Sequence, residues 1–204
     1  MQTNTQVKKT VKKSFYRNHG KRTLDLLLTI PAVILLIPVF VLVGLIIKLD
    51  SSGTILYKQK RVGKNSKEFY IYKFRTMVSN ADRIGPTSTK SGDNRITKVG
   101  KILRKTSIDE LPQLFNVLIG NMSIVGPRPD VPGDMEIFPK EHIEKRLMTA
   151  PGITGLSQVN GRSHITLDRR MHYDEKYVDN QSLRMDISII ITTFSQIIKK
   201  EGVN

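Results

Sequence analysis

The chain contains no cysteine. That excludes disulfide staples, zinc–thiolate sites and a thiol nucleophile together. Histidine is scarce too: His19, His142, His164 and His172 are dispersed and lack HExxH spacing. Each reads as a surface or packing residue and not as a metal ligand. A Walker A loop, a GxGxxG turn, a GxSxG elbow and the kinase signatures are all missing, so ATP-loop, dinucleotide-fold and hydrolase-triad mechanisms have no support. Acidic residues are in deficit, 18 against 33 lysines and arginines, for a formal net charge of +15. The partner should therefore be anionic: nucleic acid, phospholipid or a phosphorylated substrate. Any metal should be a hard cation held by carboxylates and phosphate oxygens, Mg²⁺ or Mn²⁺.

A length of 204 residues suits one compact domain with an appendage. Residues 1–20 form a polar, basic tail. The run from Leu24 to Ile47 is apolar except for Asp25 and Thr29 among polar side chains, and by length it could span a bilayer. Basic residues crowd both of its ends, from Lys8 to Arg22 and from Lys48 to Lys67. A straight span cannot satisfy the positive-inside rule at both ends, whereas a segment that enters and leaves by one face can. Pro31 and Pro38 offer places to bend. Residues 21–50 are thus expected to form a re-entrant helix–break–helix, with Asp25 at headgroup level paired to an arginine. Residues 51–204 are expected to form a domain resting on the same face.

Beyond the turn at Ser51-Ser52-Gly53, Thr54–Arg61 and Glu68–Val78 read as two strands of a hairpin. The second alternates bulky and basic residues. Its Lys73 and Arg75 either belong to a solvated face or sit against phosphate. Residues 79–100 read as an irregular loop, followed by the basic segment Lys98–Lys105. A helix is expected within Met135–Ala150, beginning near Pro139. Asn160-Gly161, flanked by Leu156–Val159 and Arg162–Leu167, predicts a second hairpin. Helices are expected over Leu167–Val178 and Asp186–Lys200. The last carries an isoleucine-rich stripe, is capped by Asp186, and packs either on the core or on a membrane surface.

The organising stretch is Thr106-Ser-Ile-Asp109-Glu110-Leu-Pro112-Gln113-Leu-Phe-Asn116, followed by Gly126-Pro127-Arg128-Pro129. Leu111, Leu114, Phe115 and Leu118 share one helical face, and Pro112 suits only a first turn, so a helix is expected to begin close to Asp109. Its positive end would favour ionised Asp109 and Glu110. Ser107-x-x-Glu110 also matches a capping box, an ordinary use of these residues. The alternative is a carboxylate nucleophile beside a cation ligand. Arg128, held between prolines, is either an exposed turn arginine or a guanidinium suited to bidentate phosphate binding. Together these parts fit phosphoryl-type transfer, in which positioning and charge neutralisation dominate.

Lys73-Phe-Arg75-Thr76-Met77, the Asp-Glu stretch, Gly126-Pro-Arg128-Pro129 and Pro151-Gly-Ile-Thr-Gly155 with Gln158-Val-Asn-Gly161-Arg162 occur in the order of one family. The chain resembles the bacterial sugar transferases, small monotopic polyprenyl-phosphate phosphoglycosyl transferases. The resemblance implies a helix-dominated α+β fold: a re-entrant membrane helix, short β-hairpins and interfacial amphipathic helices around one membrane-facing active site. It implies transfer of sugar 1-phosphate from a UDP-sugar to undecaprenyl phosphate at the cytoplasmic face of the bacterial inner membrane. UMP would be released, and assembly of a surface glycan such as capsule, exopolysaccharide or O-antigen would begin. Asp109 maps to the nucleophile and Glu110 to the Mg²⁺-binding partner (Mn²⁺ is the alternative metal). Arg128 maps to the donor-phosphate ligand, with Lys73, Arg75 and Arg162 as further phosphate contacts. Arg104 maps to an arginine organising the membrane side, and Pro38 to the break in the re-entrant helix, although Ile37-Pro38 stands where the family has Ser-Pro. Sugar selectivity is expected from loop 79–97 and Val131–Phe138. Anionic phospholipid and a second copy of the chain complete the expected partners. Two rivals remain, a membrane-tethered nucleic-acid-binding protein and a non-catalytic adaptor. The first leaves the carboxylate pair unexplained and lacks a recognition-helix or RNP-type signature, so nucleic acid is not an expected partner.

Overall fold

The computed structural model describes residues 14–85, 93–161 and 165–199. Arg162, most of the basic tail and part of loop 79–97 lie outside the described residues. The fold is helix-dominated α+β with two small sheets.

A π-helical turn, Tyr16–Gly20, leads into α1, Lys21–Asp50. Helix α1 is assigned without interruption through Pro31 and Pro38. Among the described residues it is the one helix long and apolar enough to cross a membrane. Leu27, Ile34, Leu35 and Leu49 are each more than half exposed, an apolar surface too long to face water.

Both ends of α1 are tied to the rest of the chain. At its start, Asp25 is buried and accepts from Ser123 Oγ and the Ile124 N–H, each at 3.0 Å. Its ionic partner is Lys21 at 3.2 Å, not the arginine expected, because the spacing of four residues puts Lys21 on the same helical face. Near its other end, Val43 and Ile47 pack with Phe74 and Leu103, and the Phe40 ring meets those of Phe74 and Phe115.

The alternating strand pattern is realised as an antiparallel hairpin of β1 (Leu56–Val62) and β2 (Glu68–Phe74). Asn65 and Ser66 turn the chain at φ 56° and 62°. Phe69 and Ile71 point inward against Val117 and Met122. A short α2 (Ala81–Ile84) interrupts the loop after the hairpin. The basic segment folds as α3 (Lys98–Lys105), capped by Thr97.

The region around the carboxylate pair departs from expectation. Asp109 and Glu110 lie in a 3₁₀ turn, Ile108–Glu110, and α4 begins only at Gln113, with Pro112 preceding it. The capping box does not form: Ser107 makes no side-chain cap and sits in the left-handed region at φ 57°. The buried face of α4 carries Gln113, Asn116 and Val117, while Phe115 of the expected apolar stripe is exposed and turns to Phe40 of α1.

The second sheet pairs β3 (Ser123–Val125) with β4 (Gly152–Thr154) in parallel. Gly152 is required here, because a Cβ would lie 2.1 Å from the Gly126 nitrogen. Between them come a 3₁₀ turn, Pro132–Ile137, and α5 (Lys140–Arg146), shorter than the helix expected within Met135–Ala150.

Among the described residues the predicted hairpin at Asn160-Gly161 does not form. Leu156–Val159 is a helical turn, α6; Asn160 Nδ2 bonds back to the Leu156 carbonyl at 2.8 Å, and Gly161 follows at φ 149°. The Asn-Gly pair thus ends a helix.

Helices α7 (Leu167–Asn180) and α8 (Leu183–Ile198) close the fold. Ser182, not Asp186, caps α8. Asp186 is fully buried instead, bonded by the hydroxyls of Tyr16 and Tyr177 and paired with Lys21 at 2.9 Å. A carboxylate taken out of water is stable only with such partners. Its placement ties the last helix to the base of α1.

Candidate active site

Lys73, one residue from the end of β2, reaches Glu110 Oε1 with its ammonium at 2.7 Å. Arg128, on the loop after β3, reaches the same oxygen at 2.9 Å. Three sequence-predicted residues therefore converge, and their charges explain one another. Burial pushes the Glu110 carboxyl up, but the attraction of Arg128 and Lys73 outweighs it and holds the group far below the usual carboxylate range. Glu110 is ionised at any working pH.

Asp109 differs from its neighbour. Among the described residues no hydrogen bond or ion pair engages its side chain. Burial first, then the adjacent negative charge of Glu110, pushes its pKa up to about 6. Lys73, Arg104 and Arg128 oppose that rise. The expectation of a carboxylate favoured by a helix dipole is thus corrected, because α4 starts four residues later. The left-handed Ser107 two residues before it is a sparsely populated conformation for a residue with a side chain, of the kind that collects at functional sites.

Arg104 sits on α3 and donates from Nε to Thr76 Oγ1 at 2.8 Å. Its helix approaches so closely that a Cβ on Gly100 would lie 2.0 Å from the Thr76 carbonyl oxygen. Arg75 is not brought into this group. It is buried and donates to the Ser51 carbonyl at 2.6 Å and to Ser51 Oγ at 2.9 Å, closing the end of α1.

A second layer behind Arg128 has no counterpart in the sequence reading. Arg146 is buried, donates to the Arg128 carbonyl and to Asp130, and pairs with Asp174 at 3.1 Å. Arg170 holds the other oxygen of Asp130 at 2.6 Å. Arg61 donates to the Pro129 carbonyl at 2.9 Å. The rigid Pro-Arg-Pro turn is therefore gripped from behind, leaving the Arg128 side chain 43% exposed. Asp130, directly after the second proline, was the local signal; its partners lie far away in sequence.

Mg²⁺ can be tested against this donor set. Among the described residues no group of three or more His, Cys, Asp and Glu side chains comes together. Mg²⁺ does not need one, since it is held by one or two carboxylates with substrate phosphates. Glu110 Oε2 makes no hydrogen bond among the described residues, as its bonds run to Oε1. The donors fit a Mg²⁺ that arrives with a phosphorylated ligand.

The pH behaviour follows from these charges. Unfolded, Asp109 loses its proton near pH 4; folded, near 6. The unfolded state ionises first, so the contribution of Asp109 to stability falls between about pH 4 and 6 and stays lower above. Asp109→Asn should raise stability above pH 6 by up to about 3 kcal/mol and by nothing below pH 4, as read by denaturant melts across pH.

Comparisons with known proteins agree with the motifs. Residues 16–200 match the family model described as bacterial sugar transferase. The exopolysaccharide production protein ExoY of Sinorhizobium fredii is 40% identical over 198 residues, covering 90% of this chain and 87% of that protein. The exopolysaccharide production protein PSS of Rhizobium leguminosarum bv. phaseoli is 42% identical over 197 residues, covering 89% of this chain and 97% of it. The undecaprenyl-phosphate galactose phosphotransferase of Salmonella typhimurium is 39% identical over 89% of this chain, which spans only 41% of that longer protein. With a family match over nearly its whole length and relatives of its own size, the chain belongs to the bacterial sugar transferase family.

Proposed function

We propose that the chain is a phosphoglycosyl transferase that moves sugar 1-phosphate from a UDP-sugar to undecaprenyl phosphate. The observation that carries the reading is an unengaged carboxylate, Asp109, beside a Glu110 that gathers Lys73 and Arg128. The names of relatives support the substrate classes: an N-acetylgalactosamine phosphotransferase in Aeromonas hydrophila and a glucose phosphotransferase in Komagataeibacter xylinus both carry undecaprenyl phosphate in their names.

The reaction uses these residues in two displacements. An Asp109 carboxylate oxygen attacks the β-phosphorus, forming a new P–O bond. The bond from that phosphorus to the oxygen bridging it to the α-phosphorus breaks, and UMP leaves with that oxygen. An oxygen of undecaprenyl phosphate then attacks the same phosphorus, the bond to Asp109 breaks, and the carboxylate is restored. Arg128 grips the donor phosphates and Lys73 adds positive charge on the same side. Glu110 orients both cations, and its second oxygen would be available to hold Mg²⁺. The metal would supply further neutralisation of phosphate charge when bound.

Helix α1 would hold this chemistry at the membrane, and its contacts with α4 at two distant points support re-entrant insertion from the cytoplasmic face. Arg22 donates to the Val117 and Leu118 carbonyls of α4, while Phe40 meets Phe115 on the same short helix. A straight helix would hold positions 22 and 40 about 27 Å apart. Phe115 and Leu118 are separated by about one helical turn, so two arms folded toward each other reach them more readily than a rod. The exposed apolar face of α8, with Ile187, Ile191 and Phe194, and the lysines of α3 suit an anionic membrane surface. The product would begin a surface glycan such as an exopolysaccharide.

Purified protein in nanodiscs, given Mg²⁺, undecaprenyl phosphate and a panel of UDP-sugars, should release UMP with at least one donor. Asp109→Asn should lower that release at least 10³-fold, as loss of a nucleophile does. Release of UMP at wild-type rate by Asp109→Asn would sink the assignment. The cysteine-free chain also allows a direct topology test. Single cysteines at Ser14 and Ser52 should both be labelled in inside-out vesicles and neither in right-side-out ones. Labelling from opposite sides would establish a simple span.

A further inference from the structure

Asn116 takes no part in the displacements above, yet it is fully buried in the helix that follows the carboxylate pair. Its Nδ2 donates to the Tyr70 carbonyl at 2.7 Å, and its Oδ1 accepts from the Tyr72 N–H at 2.9 Å. Those two backbone groups belong to β2, whose ladder partner is β1. The side-chain amide thus takes the place of a neighbouring strand, with one donor and one acceptor at the spacing a strand would offer. The backbone carbonyl of Asn116 is held as well, accepting from the N–H groups of Asn121 and Met122 at 3.0 and 3.1 Å.

We propose that Asn116 is a positioning residue for the reaction: its amide locks the register of β2 against α4, and so places Lys73 against Glu110. Lys73 is the residue after Tyr72, and Glu110 lies six residues before Asn116. Apolar packing also joins β2 to this region, Phe69 and Ile71 against Val117 of α4 and Met122 just beyond it. Such packing is non-directional and permits small sliding, whereas two hydrogen bonds to fixed backbone groups do not. Other side chains of similar size lack a part. Aspartate has no donor for the Tyr70 carbonyl, leucine has neither group, and glutamine is one carbon too long. A shift of about 1 Å at Lys73 is enough to cost on the order of 100-fold in rate.

The inference rests on the proposed transfer reaction, and its test separates the two. Asn116→Leu keeps the shape of the side chain and removes both bonds. Asn116→Ser, small enough to admit a water, is the second variant should the first fail to fold. Each is made alone and together with Lys73→Met. In UMP release, each single Asn116 variant should lose about 10- to 100-fold in kcat with the donor KM changed little. In the Lys73→Met background the same change should cost nothing further, because the group being positioned is gone. Independently of activity, acylation of Lys73 by an amine-directed reagent, read by mass spectrometry, should be slow in the wild type and faster in the Asn116 variants. Wild-type kcat, a full extra loss on Lys73→Met, or unchanged Lys73 acylation would overturn the proposal. If wild-type protein releases no UMP from any donor, the reaction reading falls, and Lys73 acylation decides the positioning role by itself.

Discussion

A single carboxylate oxygen, Glu110 Oε1, holds two cations that reach it from separate parts of the chain. Lys73 arrives on a strand edge and Arg128 on a loop stiffened by two prolines. Without that anion the two positive groups would repel each other across the site. With it they are fixed side by side, and the Arg128 guanidinium keeps part of its surface open to a ligand. Buried ion pairs add little net stability once desolvation is counted. This one is therefore better understood as organising charge. It also acts on its neighbour in two directions: Glu110 makes Asp109 harder to ionise, while the cations it gathers make ionisation easier. The result is a carboxylate whose pKa is raised to about 6.

Much of the remaining structure keeps that cluster in register. Arg146 and Arg61 grip the backbone on either side of Arg128, and Asp130 is clamped by Arg146 and Arg170. The long apolar helix α1 is fastened by charge at one end and by carbonyl capping at the other. Lys21 lies between Asp25 and Asp186, with both carboxylates also hydrogen-bonded, while Arg75 closes the last turn through Ser51. A long helix that finds few apolar partners within the protein is held firmly where it meets the catalytic elements.

The sequence was most informative where the pattern is local. Alternation over Tyr70, Ile71 and Tyr72, with a turn before it, marks the first hairpin, although its second strand ends at Phe74, four residues before the expected end. Helix α7 was legible from its spaced aromatic positions and α8 from its isoleucine stripe, but their caps, Thr166 and Ser182, were not read. The motifs also put Lys73, Glu110 and Arg128 on the candidate list, and the fold brings them together. What could not be read depends on residues remote in sequence. The left-handed Ser107 and the late start of α4 fit a turn whose Glu110 is tethered by Lys73 and Arg128, and local helix propensity does not express such tethers. Whether a basic residue near the end of the second strand meets a carboxylate or a helix end is equally invisible, so Lys73 and Arg75 looked alike and diverge in the structure. Asp130, Arg146 and Asp174 are 16 and 28 residues apart along the chain, and pairing over that distance leaves no periodic trace. Asn160-Gly161 shows the reverse case, a strong local signal that ends a helix because the segment before it is already helical.

The central claim is that Asp109 becomes covalently bonded to the transferred group. The most direct measurement is acid-quenched mass spectrometry of the protein after incubation with Mg²⁺ and an accepted UDP-sugar, with the lipid acceptor left out. The account predicts a mass gain equal to the sugar 1-phosphate, located on the peptide bearing Asp109 and lost again when undecaprenyl phosphate is added. Turnover with no adduct, or an adduct on another residue, would contradict it.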